Sequence, residues 1–345
     1  MSSLTDVPPP LGLNRPDRES AAKSANRQDR IFIRAIQAVA LFTLVVIAAV
    51  AVFVFVAGWP SFKANGLSWF TAGPIPLDRQ LGYAFTGGPD GRPYTQLNAW
   101  PAIAGTLMST AGALLIAFPI SLLTAIFMAE LAPERVSAIL APIVTMLAAT
   151  PSVVFGLFAI LVIGPWITNH LISQSVANDL AIIVPIGGAS VLLATLVLAV
   201  MIAPLMTAIF TDALRAVPTK WKEGAIALGC DPWRMSRRVS IGAIRPALVA
   251  GSSLAIGRAV GEAIAVSMAG GGIAFVPNPM DGVWFLFEPV RPLAPTVVDY
   301  SEGFSGDVLR SNLFAIGVVL FITTASLTIG AKIASARYAK RLGGS

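Results

Sequence analysis

Cysteine and histidine are almost absent from this chain: 345 residues hold one of each, Cys230 and His170. A lone cysteine excludes an intramolecular disulfide and any cysteine-rich metal site, and a lone histidine leaves no basis for a histidine-built catalytic or metal centre. Charge is scarce as well, at 12% of residues. No Gly-x-x-x-x-Gly-Lys-Ser/Thr loop occurs, so there is no P-loop cradle for nucleotide phosphates, and neither His-Glu-x-x-His nor Gly-x-Ser-x-Gly is present. An enzyme is not expected, nor is any cofactor or metal. A cleaved signal peptide is not expected either, because the first apolar run is long enough to span a bilayer and reads as an uncleaved helix.

What the chain has in abundance is apolar surface: 55% of residues are hydrophobic and the mean hydropathy is +0.76. Such a composition points to an all-α polytopic membrane helix bundle embedded in a lipid bilayer. Six transmembrane helices are predicted, at about 31–57, 102–130, 136–165, 181–210, 246–269 and 312–334. Residues 1–30 are polar, include Pro8-Pro9-Pro10 and read as a disordered tail. The segment 58–100 is rich in Gly, Pro and Asn and reads as a folded loop, with Trp59, Trp69, Phe70 and Trp100 as interface anchors. The third span is expected to be broken, since Pro142, Thr150-Pro151-Ser152 and Gly156 interrupt it. A broken helix at membrane depth either lines a pathway or is a packed proline kink.

The net charge of +6 and pI near 9.8 do not indicate nucleic acid, because the basic residues sit beside apolar spans. Arg15 to Arg34, Arg135, the cluster from Arg215 to Arg245 and the carboxy-terminal Lys332, Arg337, Lys340 and Arg341 fall on one side. Only Lys63, Arg79, Arg92, Arg291 and Arg310 fall on the other. The asymmetry predicts that both termini and the loop 212–245 are cytoplasmic.

That loop is the most structured polar stretch. Pro218-Thr-Lys-Trp-Lys-Glu-Gly-Ala-Ile-Ala-Leu reads as a helix start with an apolar face at Trp221, Ala225 and Leu228. Gly229 sits where a left-handed residue would end the helix, and Asp231-Pro232 restarts another as N-cap and first helical residue. A helix, glycine turn and second helix on the inner face look like a docking device, against the plainer reading of an ordinary basic loop. The pattern resembles the Glu-Ala-Ala loop of ATP-binding-cassette importer permeases, with Glu223, Ala225 and Gly229 at the matching positions. Gly224 replaces the usual alanine, Val239-Ser-Ile241 replaces the usual Ile-x-Leu, and Gly242 stands where proline is usual. The resemblance implies that Glu223, Gly224, Ala225, Gly229 and Asp231 contact a separate ATPase, which carries out the hydrolysis.

Inside the fifth span, Gly257-Arg258-Ala-Val-Gly261-Glu262-Ala-Ile-Ala-Val-Ser267 holds two charges at membrane depth. An arginine at a helix centre costs roughly 2.5–3.5 kcal/mol on insertion scales. Arg258 and Glu262, four residues apart, can meet on one face of a helix, either as a buried pair that fixes packing or as charges on a solute pathway. Gly251, Ala255, Ala259, Ala263 and Ser267 form a small-residue stripe beside them, and Gly257-x-x-x-Gly261 a second surface for close approach.

This segment closely resembles one in phosphate-import permeases, as does Thr150-Pro-Ser-Val-Val-Phe-Gly156, while Gly66-Leu-Ser-Trp-Phe-Thr71 looks more like their C-type than their A-type subunit. The resemblance implies a type I importer permease in a bacterial inner membrane, with inorganic phosphate as solute and Arg258, Glu262, Thr150 and Ser152 along its path. It implies as partners a homologous second permease subunit, an ATPase dimer and an extracytoplasmic phosphate-binding protein. Import of another oxyanion such as sulfate or molybdate, an ion-coupled carrier using Glu262 as a proton site, and a non-transporting membrane scaffold are the competing readings.

Overall fold

The computed structural model describes residues 15–172 and 187–341. Its regular structure is helical, with a single bridge between Gly271 and Val290 among the described residues. In chain order the helices are α1 (Arg15–Asn65), α2 (Leu77–Thr86), α3 (Trp100–Leu131), α4 (Glu134–Ala149), α5 (Ser152–His170) and α6 (Val191–Arg215). They continue as α7 (Thr219–Ala227), α8 (Pro232–Ala243), α9 (Arg245–Gly261), α10 (Ile264–Ala269), α11 (Leu293–Asp299) and α12 (Asp307–Arg341). Among the described residues five helices are long and apolar enough to cross a membrane, and six if α8 and α9, bent by 72°, form one span.

The chain divides into two compact units, Met1–Phe53 and Val54–Ser345. The first is carried by the amino-terminal part of α1, whose apolar side chains from Phe32 onward are largely exposed, as on a helix bounded by lipid. Residues 15–30, predicted as part of a disordered tail, are helical. They are mostly good helix formers joined to an apolar helix, so they extend it without a new nucleation cost.

In the second unit α6 is the central helix. Leu193, Leu198, Ile202, Met206 and Phe210 are buried along it, and it packs against α3, α4 and α9. Small residues set these approaches: a Cβ at Gly112 would lie 2.8 Å from Thr195, and one at Gly251 would lie 2.8 Å from Phe210. Lipid offers no hydrophobic drive for helix association, so close backbone contact of this kind supplies the dispersion that holds the bundle. The part of the fourth span predicted over 181–186 lies outside the described residues. From Val191 the helix is regular, with Ser190 accepting a hydrogen bond from Leu193 N–H at its start.

The third span differs in register from the prediction. Pro151 lacks an N–H and disfavours helix in the residue before it, so Thr150 is extended at ψ 133° and separates α4 from α5. The helix long enough to cross is α5, which continues past Pro165 after a π turn at Ala159–Ile163.

The two long loops fold together. Trp69, Leu77, Leu81, Leu97, Ala274, Leu293 and Leu309 form a second buried cluster, in which each fully buried leucine contributes about 1.5–3 kcal/mol. Trp69 is therefore no interface anchor. It is fully buried, with its indole N–H donating to Ser61 Oγ at 3.2 Å, whereas Trp59, Phe70 and Trp100 are exposed.

Candidate translocation pathway and coupling surface

The fifth span is not one continuous helix. α9 ends at Gly261, Glu262 is extended (φ −74°, ψ 115°), and α10 begins at Ile264. The expected meeting of Arg258 and Glu262 on one helix face does not occur, because four-residue spacing aligns side chains only where the helix is unbroken. Among the described residues no carboxylate forms an ion pair with Arg258. Glu262 instead turns forward: its Oε1 accepts the Ala265 N–H at 3.2 Å and caps α10. Arg258 occupies the last turn of α9, where a cation is favoured by the helix dipole. Both side chains are half-buried. Gly261 is not a close-approach surface, for a Cβ there would meet nothing within 4 Å, while Gly251, Ala255 and Ala259 are buried as expected.

The helix that follows the Thr150-Pro151 break packs against α10. Gly156 on α5 packs on α10, so closely that a Cβ would lie 2.9 Å from Met268 Sδ and 3.0 Å from Ala265 Cα. The segment beginning at Thr150 and the segment containing Glu262 are thus neighbours, although 110 residues or so apart. Thr150 itself bonds back to Met146 O at 2.9 Å, and Ser152 is half-buried at the first position of α5. Beyond the break, Ser267 Oγ donates to Asp299 Oδ1 at 2.7 Å.

The loop 212–245 is built as its residues predict. α7 ends at Ala227, Gly229 takes φ +82°, and Asp231 caps α8 by accepting the Arg234 N–H at 2.8 Å. The expected apolar face is split: Ala225 is buried, whereas Trp221 is 57% and Leu228 88% exposed. Ile226 and Trp233 are exposed beside them. Glu223 is exposed and has no ion pair among the described residues, and a Cβ at Gly224 would meet nothing within 4 Å.

Two polar networks escaped sequence reasoning. Glu130, in the π turn Phe127–Leu131 that ends α3, is buried and pairs with Lys222 Nζ of α7 at 3.0 Å; it also accepts a hydrogen bond from Ser236 Oγ of α8. Lys222 bonds Leu214 O at 2.9 Å as well. One carboxylate therefore ties both helices of the loop to the second span. In the long loops, Arg291 is clamped by Asp78 and, at 3.3 Å, by Asp299; Asp78 also accepts the Ala274 N–H. Tyr300 lies against the guanidinium, and burial, then the Asp78 charge, raise its phenol above the ordinary value of 10.0. Signals existed for both: Glu130 is an acid at the end of an apolar span with no other charge, and Arg291 is the only cation between Arg258 and Arg310. Lys222, 92 residues from Glu130, and Asp78, 213 residues from Arg291, could not be chosen from sequence.

Residues 121–342 match the family described as binding-protein-dependent transport system inner membrane component. The chain belongs to that family. It is a permease of the ATP-binding-cassette transporters and a multi-pass membrane protein. Among its relatives, the phosphate transport system permease protein PstC of Haemophilus influenzae is 31% identical over 85% of this permease and 89% of its own length. The phosphate transport system permease protein PstC of Mesorhizobium japonicum is 28% identical over 94% of both chains. The permease also resembles, with a TM-score of 0.52 and 13% identity over 91% of this chain and 96% of the other, a chain of the bacterial alginate ABC transporter crystallised with an alginate-bound periplasmic protein. That likeness is one of fold, the type I importer permease bundle.

Proposed function

We propose that this permease is a subunit of an ATP-driven importer of inorganic phosphate and forms half of its translocation pathway beside a homologous second permease. Hydrolysis belongs to a separate ATPase dimer, and an extracytoplasmic phosphate-binding protein delivers the solute to the cap made by the two long loops. The chain is read as a C-type subunit, with both termini and the loop 212–245 on the cytoplasmic face of a bacterial inner membrane.

The observation that carries this reading is the interruption at Glu262, where Arg258, which has no ion pair among the described residues, stands in the last turn before unwound backbone at membrane depth. Discontinuous membrane helices with an intramembrane cation suit an anionic solute, and lipid-exposed backbone of this kind would be costly. Ser152, at the start of α5, is read as a neutral donor to the same solute; the packing of Gly156 of α5 on Ala265 of α10 supports this. Phosphate is favoured over other oxyanions by the resemblance of these two segments to those of phosphate permeases, and the names of the relatives support it.

On the cytoplasmic face, the exposed Glu223, Trp221, Ile226 and Leu228 are the surface assigned to the ATPase, with Gly229 and Asp231 shaping it. The test is ATP-dependent phosphate uptake by the reconstituted complex, with sulfate and molybdate as competitors. Uptake of labelled phosphate blocked as strongly by sulfate or molybdate as by unlabelled phosphate, or independent of ATP, would overturn the proposal.

A further inference from the structure

The arginines of α8 converge across its junction with α9. Arg234, Arg237 and Arg238 flank or lie in a π turn at Ser236–Ser240 and line one cleft, and the 72° bend that follows brings in Arg245 at the first position of α9. Together with Trp233 they line a cleft of about 550 Å³. Among the described residues no carboxylate lines it. Arg234 has Asp231 at 3.1 Å, but among the described residues Arg237, Arg238 and Arg245 have no acidic partner.

A preference for basic residues on the cytoplasmic side explains why cations occur in this loop. It is satisfied equally by lysine and by any arrangement, so it explains neither the exclusive use of arginine nor the convergence on one concave surface. The lysines of the loop, Lys220 and Lys222, are on α7, and Lys222 is already committed to Glu130. Guanidinium forks match phosphoryl oxygens in pairs, which an ammonium does not. Trp233 is half-exposed beside the start of an apolar span, the depth at which tryptophan meets lipid headgroups.

We propose that this elbow cleft binds a phosphoryl oxyanion, held between Arg237 or Arg238 on α8 and Arg245 on α9. The ligand comes either from an anionic phospholipid headgroup, for which basic pockets at the cytoplasmic surface are suited, or from free inorganic phosphate. Bridging the bend, it fixes the angle at which the coupling loop feeds the fifth span. The inference rests on the proposed orientation but not on which solute the permease carries.

The experiment uses the whole transporter complex carrying Arg258→Met, so that phosphate in the proposed pathway does not contribute. One arm measures phosphatidylglycerol retained by complexes from mixed phosphatidylglycerol–phosphatidylcholine nanodiscs, by native mass spectrometry. The other measures phosphorus-31 line broadening of inorganic phosphate by complexes in phosphatidylcholine alone. Arg238→Gln/Arg245→Gln should weaken whichever ligand binds by about tenfold or more, the loss of two charge-assisted contacts. Arg237→Lys/Arg238→Lys, which keeps the charge, should weaken it by a smaller factor, and Lys220→Gln should leave it unchanged. Retention of phosphatidylglycerol identifies the headgroup, and saturable broadening identifies free phosphate. Binding of neither, equal binding by all variants, or loss of the ATPase from the glutamine variant with anion binding intact would overturn the proposal, the last marking a protein-docking surface.

Discussion

Glu130 and Lys222 form an ion pair at 3.0 Å that joins the end of the second span to the first helix of the coupling loop. The Glu130 side chain is 1% exposed and that of Lys222 17%, so neither has much water to fall back on. Removing one partner of such a pair typically costs about 3–5 kcal/mol, whereas replacing both with apolar residues is often neutral. Glu130→Ala and Lys222→Met should each lower the thermal midpoint of the purified permease, and Glu130→Met/Lys222→Met should recover much of the loss. Single variants as stable as wild type would show that the pair carries no weight.

The turn at Gly229 separates two effects of glycine. Its φ of +82° places a side chain in the left-handed region, which costs roughly 1–2 kcal/mol for an ordinary residue and more for a β-branched one. Gly229→Val should therefore reduce co-purification of the ATPase while the spans still insert. Gly224 is helical with nothing within 4 Å of a Cβ, so Gly224→Ala should stabilise α7 by about 1 kcal/mol and leave uptake intact. Loss of uptake in Gly224→Ala would mean that a partner's backbone packs at that position.

Legibility in the sequence tracked the range of the interactions. Pro218, Gly229 and Asp231 act within a few residues, so the helix, turn and helix of the coupling loop could be read directly, as could the break at Pro151. Apolar length predicts six spans; among the described residues five helices are long and apolar enough, and a sixth requires α8 and α9 to be taken together. Three features required distant partners. Trp69 is buried by the folding of one long loop on another, Glu130 by a loop more than 90 residues on, and Arg291 by Asp78. The interruption at Glu262 was missed for a different reason. No proline marks it, and the four-residue spacing of Arg258 and Glu262 is equally compatible with a continuous helix through Gly261.

The clamp on Arg291 links the two long loops and carries a pH signature. Arg291→Ala should raise hydrogen exchange in residues 66–99 and 270–306 together, and a change in one loop only would contradict the shared cap. The Tyr300 phenol is raised by burial and by Asp78, so the folded state keeps its proton longer than the unfolded state. The sign follows: this contribution is fully present below pH of about 10, the unfolded value, and is lost as pH rises through the higher folded value. Tyr300→Phe should flatten the alkaline loss of stability measured by thermal unfolding above that pH; an unchanged profile would exclude the contribution.

Topology is open to a labelling test, because Cys230 is the only cysteine and lies in the coupling loop. A membrane-impermeant maleimide should reach Cys230 only in inside-out vesicles. In a Cys230→Ser background, cysteines introduced within 70–95 and 280–305 should react in intact cells. Reaction of Cys230 from outside would reverse the orientation and remove the basis for the ATPase surface.

The central claim is tested most directly by phosphate uptake in assembled complexes carrying Arg258→Lys or Glu262→Gln. Arg258→Lys keeps the charge and removes the fork. Glu262→Gln keeps an oxygen to cap Ala265 N–H and removes the charge, so helix restart and carboxylate chemistry are separated. Both variants are expected to assemble with the ATPase, hydrolyse ATP and lose most ATP-driven phosphate uptake, on the order of tenfold or more as for a lost charge-assisted contact. Near-normal uptake by both assembled variants would contradict a pathway at the fifth-span break and leave these residues with a packing role.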